Sequence, residues 1–436
     1  MTRALRENGP VVRIKRNGQT EFLVSDECTQ QVLTRADTFS FEDALAKIMG
    51  MTLLHRWIGQ GFLRDVHRAI QAYWDCCKHQ VASHAAPIFE RAAAEVAAAG
   101  EGGQPVDIAP YINRAVTELT LKVLLGKKYA MPEYCHRTHQ VVEDLVELTG
   151  LNRQQSRLGR GFPILWTIKT WIEVAVFRLP QHLGVHFACC VWADIGSTDA
   201  SEKNLISHLV SKYADADGVV PTGPKIRIMV MVWSIIFGAV HQTAAISVWV
   251  SFFLARRRDM QDAICREHDA TRALASVVGD SKEASEHDLS RAVYADSFIR
   301  EVLRMKPDAV NAARVARKDT ELAGYFIPKG SLIFPVTFLS DRNPRYLSNP
   351  DVFDPERWLW TGKTAAMPGA GHLAFGLGRW ACPGRFLSVI EIKLWILALA
   401  KVATFELEGD SYEIMDAFNI STFAPRGRLL VSKRTA

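Results

Sequence analysis

The period of the hydrophobic positions changes several times along the chain, and each change marks a different element. Val11, Val12 and Ile14, then Phe22-Leu23-Val24, form two short strand-like runs on either side of Asn17-Gly18, a dipeptide suited to the tight turn of a hairpin. Asp26 is the predicted cap of a helix that carries Cys28, Val32 and Leu33 on its apolar side. Thr38 to Phe62 holds Phe39, Phe41, Met49, Met51, Leu53 and Trp57 between glycines, which reads as irregular apolar chain laid over a core. Helical spacing returns from Val66 to Ala99 and from Val106 to Leu148, where Gly126 and Pro132 punctuate it.

Further on, Arg160 to Trp192 is richer in apolar and aromatic residues than a surface segment should be. It fits buried core, a lid over a substrate entrance, or a face that rests on a membrane. Tyr213 to Pro224 is a polar Gly/Pro loop, and Ile228 to Ala255 then runs without a charge. That run is long enough to cross a bilayer. His241, Gln242 and Thr243 near its middle would be costly against lipid, so a central helix buried on all sides explains it better. His268 to Asp288 reads as a solvated connection, and Phe298 to Lys306 as a helix. Thr320 to Phe334 reads as short strands separated by Gly and Pro turns.

Composition narrows the choices. With 436 residues, 48% of them hydrophobic, and 11 tryptophans, the chain can bury a large core. A net charge of +5 from scattered basic residues gives no footprint for nucleic acid, and none is expected as a partner. The eight cysteines include two adjacent pairs but no CxxC, which suits a reducing compartment better than a disulfide framework. Met1 to Asn8 has no apolar targeting core. The expected location is therefore cytoplasmic, or peripheral to the endoplasmic reticulum, with no anchor in this chain.

The most specific chemistry lies at Phe375-Gly376-Leu377-Gly378-Arg379-Trp380-Ala381-Cys382-Pro383-Gly384-Arg385. A lone cysteine on a glycine-rich turn, followed at once by a helical pattern, places its sulfur at a helix N-terminus, where the dipole favours a thiolate. Gly376, Gly378 and Gly384 allow the backbone to approach a flat group, and Pro383 stiffens the turn. The same segment also fits G-x-G-x-x-A, but no β-branched run precedes it and no acid follows where a dinucleotide site would need one. An inert core thiol is the other bland reading.

The FxxGxxxCxG spacing resembles the haem loop of the cytochrome P-450 superfamily, in which a cysteine thiolate ligates haem iron. Three further matches precede it in order: a polar break at 238–243 in the long apolar run, Glu301-x-x-Arg304, and Pro355-Glu356-Arg357-Trp358. The resemblance, closest in style to fungal members of secondary metabolism, implies a mainly α fold. It would be a single cytochrome P-450-like domain over 1–436, a helical bundle with a long central helix and a small β region. It further implies haem b (iron protoporphyrin IX with an axial thiolate), with Cys382 as the metal ligand. Phe375, Gly378, Trp380, Arg314 and Arg379 are its expected cofactor-binding residues, and His241, Gln242 and Thr243 its expected catalytic segment. Trp74 and Lys78 echo a family contact to a haem propionate, although an amphipathic helix face explains them equally well.

Two departures carry chemical content. Gln242 stands where the family has a threonine, and an amide has no hydroxyl to pass on a proton. Trp380 stands where an arginine or histidine usually holds a propionate, and it offers one indole N–H. The implied activity is monooxygenation of a hydrophobic small molecule of terpenoid, polyketide or alkaloid type, using dioxygen and electrons from an NADPH-dependent flavoprotein reductase. Because of Gln242, rearrangement, dehydration, coupling or desaturation is the alternative. A catalytically silent haem-binding or membrane-resident protein is a third reading. Peripheral membrane contact is a further expectation of the 160–192 stretch.

Overall fold

A computed structural model describes residues 2–16, 19–49, 52, 55, 59, 61–148, 156–196, 204–277, 289–307, 312–414 and 422–434. The described chain is mainly helical with small sheets, and it divides into two compact units. One comprises 1–61, 293–389 and 414–423; the other comprises 62–292, 390–413 and 424–436.

The first unit is built on a five-stranded sheet with the order Val11–Arg16, Gln19–Val24, Leu332–Pro335, Arg314–Ala316, Phe39–Ser40. The predicted hairpin forms in antiparallel register, Val11 opposite Val24 and Arg16 opposite Gln19; its Asn17-Gly18 turn lies outside the described residues. Gln19–Val24 then pairs in parallel with Leu332–Pro335, Phe22 opposite Ile333. A core of Phe22, Val24, Cys28, Val32, Phe39 and Ile333 fills one cluster of this unit. Strands Thr320–Leu322 and Tyr325–Ile327 form a separate hairpin. Its two central residues, Ala323 and Gly324, both have positive φ, the geometry that matches the twist of a tight hairpin.

Two local expectations are corrected here. The helix Asp26–Thr34 begins at Asp26 with Ser25 in the cap position, and the Asp26 carboxylate accepts instead from the Asn343 amide. The 38–62 stretch is not wholly irregular: Phe41–Ile48 is a helix, capped where Ser40 Oγ accepts from the Asp43 N–H at 3.1 Å. Met51, Leu53 and Trp57 lie outside the described residues.

The second unit is dominated by two long helices, Phe62–Ala99 and Thr222–Ala255. The latter packs against helices Ala109–Leu124, Pro132–Leu148, Val185–Gly196 and Leu205–Tyr213. Its buried residues recur on every side of its second half, from Thr243 to Ala255, as expected of a helix with no polar stripe. It is the one described helix that by itself is long and apolar enough to cross a membrane, and half of its most apolar window is buried. Two buried hydrogen bonds tie this core together: Trp395 Nε1 donates to Ser251 Oγ at 2.8 Å, and the Gln261 amide donates to the Phe405 carbonyl at 2.8 Å. The expected solvated connection begins later than the sequence suggests. The helix Arg258–Val277 includes its first part, and 278–288 lie outside the described residues.

Candidate active site

In the first unit, helix Val293–Met305 presents Glu301 and Arg304 on one face, three residues apart, and both are almost wholly buried. The pair is bidentate: Arg304 Nε donates to Glu301 Oε2 at 3.0 Å and Nη2 to Oε1 at 2.6 Å. Arg357 adds a third contact, Nε to Glu301 Oε1 at 3.4 Å. The Asp354 N–H and the Trp358 indole N–H complete the set at 3.0 and 2.9 Å. Arg304 also donates to the carbonyls of Asp341, Pro350 and Val352. Five donors on one carboxylate offset the cost of burying it, and a planar guanidinium suits this geometry. The sequence pointed to Arg357; it gave no sign that Trp358 also binds Glu301.

The cysteine loop follows in the same unit. Gly376 and Gly378 have φ of +72° and +70°, a region open to glycine at little cost. A Cβ on Gly378 would meet the Thr34 methyl at 3.2 Å, so the loop closes tightly on the end of the Asp26–Thr34 helix. Phe375 is buried, and its carbonyl accepts from the Cys382 N–H at 2.8 Å. Cys382 immediately precedes the helix Arg385–Val402, and the backbone N–H groups of Gly384 and Arg385 hydrogen-bond its sulfur. These contacts and the Arg385 charge favour a thiolate, yet burial outweighs them and pushes the thiol above its ordinary pKa. A bound metal ion would reverse the balance, since coordination deprotonates a thiol outright.

Arg314 lies in the same unit, 2% exposed, on a sheet strand. It donates to the Ala313 carbonyl at 2.8 Å and stands over the Phe41 ring at 5.2 Å, while its Nε has no hydrogen-bond partner. Burial alone lowers its pKa, to about 10, with no carboxylate opposing the shift. Phe41 also packs on Trp380, ring centroids 5.3 Å apart, so Arg314 and Trp380 flank one aromatic ring, two residues from Cys382. A buried cation with no opposing carboxylate among the described residues fits a carboxylate-bearing ligand. Arg379 is exposed and lies over the Trp380 ring at 5.7 Å, which separates its surroundings from those of Arg314.

In the second unit, the three expected catalytic residues do not share a face, because consecutive helical residues point about 100° apart. His241 is half-buried; desolvation lowers its pKa, with Glu143 opposing and His139 adding to the shift. It is neutral at pH 7. Gln242 is half-buried, whereas Thr243 is buried and hydrogen-bonds the Glu391 side chain. Glu391 is 1% exposed, its Oε1 has no partner, and burial holds its carboxyl well above the usual carboxylate range. Nothing in the spacing of the sequence pointed to Glu391 or to Phe41 as a site residue. Trp74 and Lys78 share the Phe62–Ala99 helix and are both half-buried.

A family model for cytochrome P450 matches residues 1–427. Flavonoid 3'-monooxygenase from Petunia hybrida is 26% identical over 71% of this chain and 61% of its own length. Sterol 14alpha-demethylase from Mycolicibacterium vanbaalenii is 29% identical over 48% of this chain and 44% of its own length. The Mycobacterium bovis enzyme of that name is 24% identical over 75% of this chain and 69% of its own length. The chain thus spans less than two thirds of the first two relatives. The mainly helical fold, the cysteine on its glycine turn and the buried Glu-Arg-Arg set lie within the matched residues. The chain belongs to the cytochrome P450 family.

Glu301→Ala strands Arg304 and Arg357 in the interior and is expected to cost about 3–5 kcal/mol. Urea unfolding measures it; a loss below about 1 kcal/mol would show that the buried set does not act as a unit.

Proposed function

We propose that the protein is a haem-thiolate monooxygenase of a hydrophobic small molecule, of terpenoid, polyketide or alkaloid type. It would act in secondary metabolism of the fungal kind, with electrons from an NADPH-dependent flavoprotein reductase. The observation that carries this reading is the unmatched Arg314 cation grouped with Phe41 and Trp380 beside the Cys382 loop. Haem b fits those residues: Cys382 would hold the iron, and Arg314, with the Trp380 indole, would hold a propionate. When bound, that group supplies dioxygen activation driven by reductase electrons. Phe375 and Gly378 would shape the loop around it, and exposed Arg379 would meet an acidic redox partner. Residues 1–436 are read as one cytochrome P-450-like domain, a reading supported by a family match that takes in both units.

The chain's own part in the reaction is to bind, orient and manage protons. Neutral His241 and Gln242 can donate to and accept from water, and neither carries a charge. The hydroxyl missing at Gln242 is made up next to it, where Thr243 and Glu391, whose carboxyl burial holds well above the usual carboxylate range, form a buried hydrogen-bonded pair able to pass a proton. The relatives' printed names, a flavonoid monooxygenase and a sterol demethylase, support a fused-ring or polycyclic apolar substrate. Turnover with reductase, NADPH and isotopically labelled dioxygen is expected to place label in the product. Glu391→Gln should lower the product formed per NADPH consumed while leaving the haem spectrum unchanged. Product without label would favour rearrangement, dehydration, coupling or desaturation instead.

Peripheral membrane contact belongs to the same reading. Phe162, which precedes helix Pro163–Thr170, Ile164 on that helix, and Phe177 on the π-helical segment Trp171–Arg178 that continues it are 66%, 76% and 64% exposed. Arg157, Arg160 and Lys169 are exposed nearby in sequence. Such a face suits the headgroup boundary of an anionic bilayer. The protein is expected to float with anionic vesicles, and Ile164→Ser with Phe177→Ser to release it. Equal flotation of the double variant would remove this face from the account.

A further inference from the structure

We propose that Asp341 is a positioning residue that ties the buried Glu301–Arg304 pair to the cysteine loop by accepting the Leu373 N–H. The inference rests on the proposed role of Cys382 for one of its two readouts and is independent of it for the other.

Asp341 ends the short helix Thr337–Asp341 and is 5% exposed. Its backbone carbonyl accepts from Arg304 Nη1 at 3.0 Å, so the ion pair fixes its main chain. Its side chain faces the other way, and Oδ1 accepts from the Leu373 N–H at 2.8 Å. Leu373 is 1% exposed, clustered with Leu33, Ala312 and Leu377. The Leu373 carbonyl accepts from the Gly376 N–H at 2.8 Å, and the Phe375 carbonyl from the Cys382 N–H at 2.8 Å. From Glu301 to the residue that bears the sulfur, every step is thus a hydrogen bond or a peptide unit, all within one compact unit.

The tie depends on an acceptor oxygen and not on charge. Burial pushes the Asp341 carboxyl up to about 7, against the Leu373 N–H and the positive charges of Lys306, Arg304 and Arg300. Arg342, next in the chain, feels the Asp341 charge as well. Whether ionised or protonated, the carboxyl keeps a lone pair for Leu373. Asparagine offers the same oxygen at the same reach; leucine fills the space and offers none.

Hydrogen exchange of the 369–385 segment, in the haem-loaded protein, separates the possibilities. Asp341→Leu should exchange at Leu373 about tenfold faster, the loss expected for one buried hydrogen bond. Asp341→Asn should match the parent protein. The second readout is the share of haem that keeps thiolate ligation on reduction, which should fall in Asp341→Leu and hold in Asp341→Asn. Parent-like exchange in Asp341→Leu overturns the proposal. So does fast exchange in Asp341→Asn, which would make the charge, and not the acceptor, the operative feature. Where Asp341→Leu does not fold, Asp341→Ala, which removes the acceptor without adding volume, takes its place beside Asp341→Asn, and parent-like exchange at Leu373 in Asp341→Ala overturns the proposal. If no variant, nor the parent, shows thiolate ligation, the reading of Cys382 fails while the exchange result still judges Asp341.

Discussion

A carboxylate removed from water must be satisfied in full, and Glu301 imposes that requirement on the first unit. Its five donors come from Arg304 on its own helix and from Asp354, Arg357 and Trp358 in the segment that follows the sheet. An irregular segment has few ways to bring a backbone N–H, a guanidinium and an indole to two oxygens at once. The cost of leaving any of them unmet selects one arrangement of chain ahead of the cysteine loop. The carbonyls of Pro350 and Val352, bonded by Arg304, fix the same stretch from the other side.

Two features of that unit are poorly matched by the polypeptide alone, and they are mismatched in complementary senses. The Cys382 thiol is held protonated by burial although backbone N–H groups are aimed at its sulfur. Arg314 is a buried cation that no carboxylate among the described residues offsets. A ligand that brings a metal ion for the first and a carboxylate for the second resolves both. Natural sequences break local rules mainly where function demands it.

The fold was legible wherever a local pattern decided it. Two strand-like runs on either side of Asn17-Gly18 gave the Val11–Val24 hairpin, and an apolar run without a polar stripe gave the Thr222–Ala255 helix. Less was visible where a partner distant in sequence decides. Ser25 and not Asp26 takes the cap position, and the Asp26 carboxylate accepts from Asn343, more than three hundred residues on. At the site, the Glu-x-x-Arg spacing and the cysteine turn could be read directly. Phe41, Trp358, Asp341 and Glu391 could not, since each owes its role to a contact that only folding creates. The triplet His241-Gln242-Thr243 was found as a polar break in apolar sequence. That Thr243 turns to Glu391, away from its neighbours, is set by helical geometry and by a carboxyl on another helix.

The central claim is a bond between the Cys382 sulfur and a haem iron. The reduced carbon monoxide difference spectrum of the purified protein, beside that of Cys382→Ser, tests it most directly. The parent protein should show the long-wavelength band of thiolate-ligated haem, and the serine variant should lose it while its far-ultraviolet circular dichroism stays that of a folded helical protein. A parent protein without the band, or a serine variant that keeps it, would contradict the account.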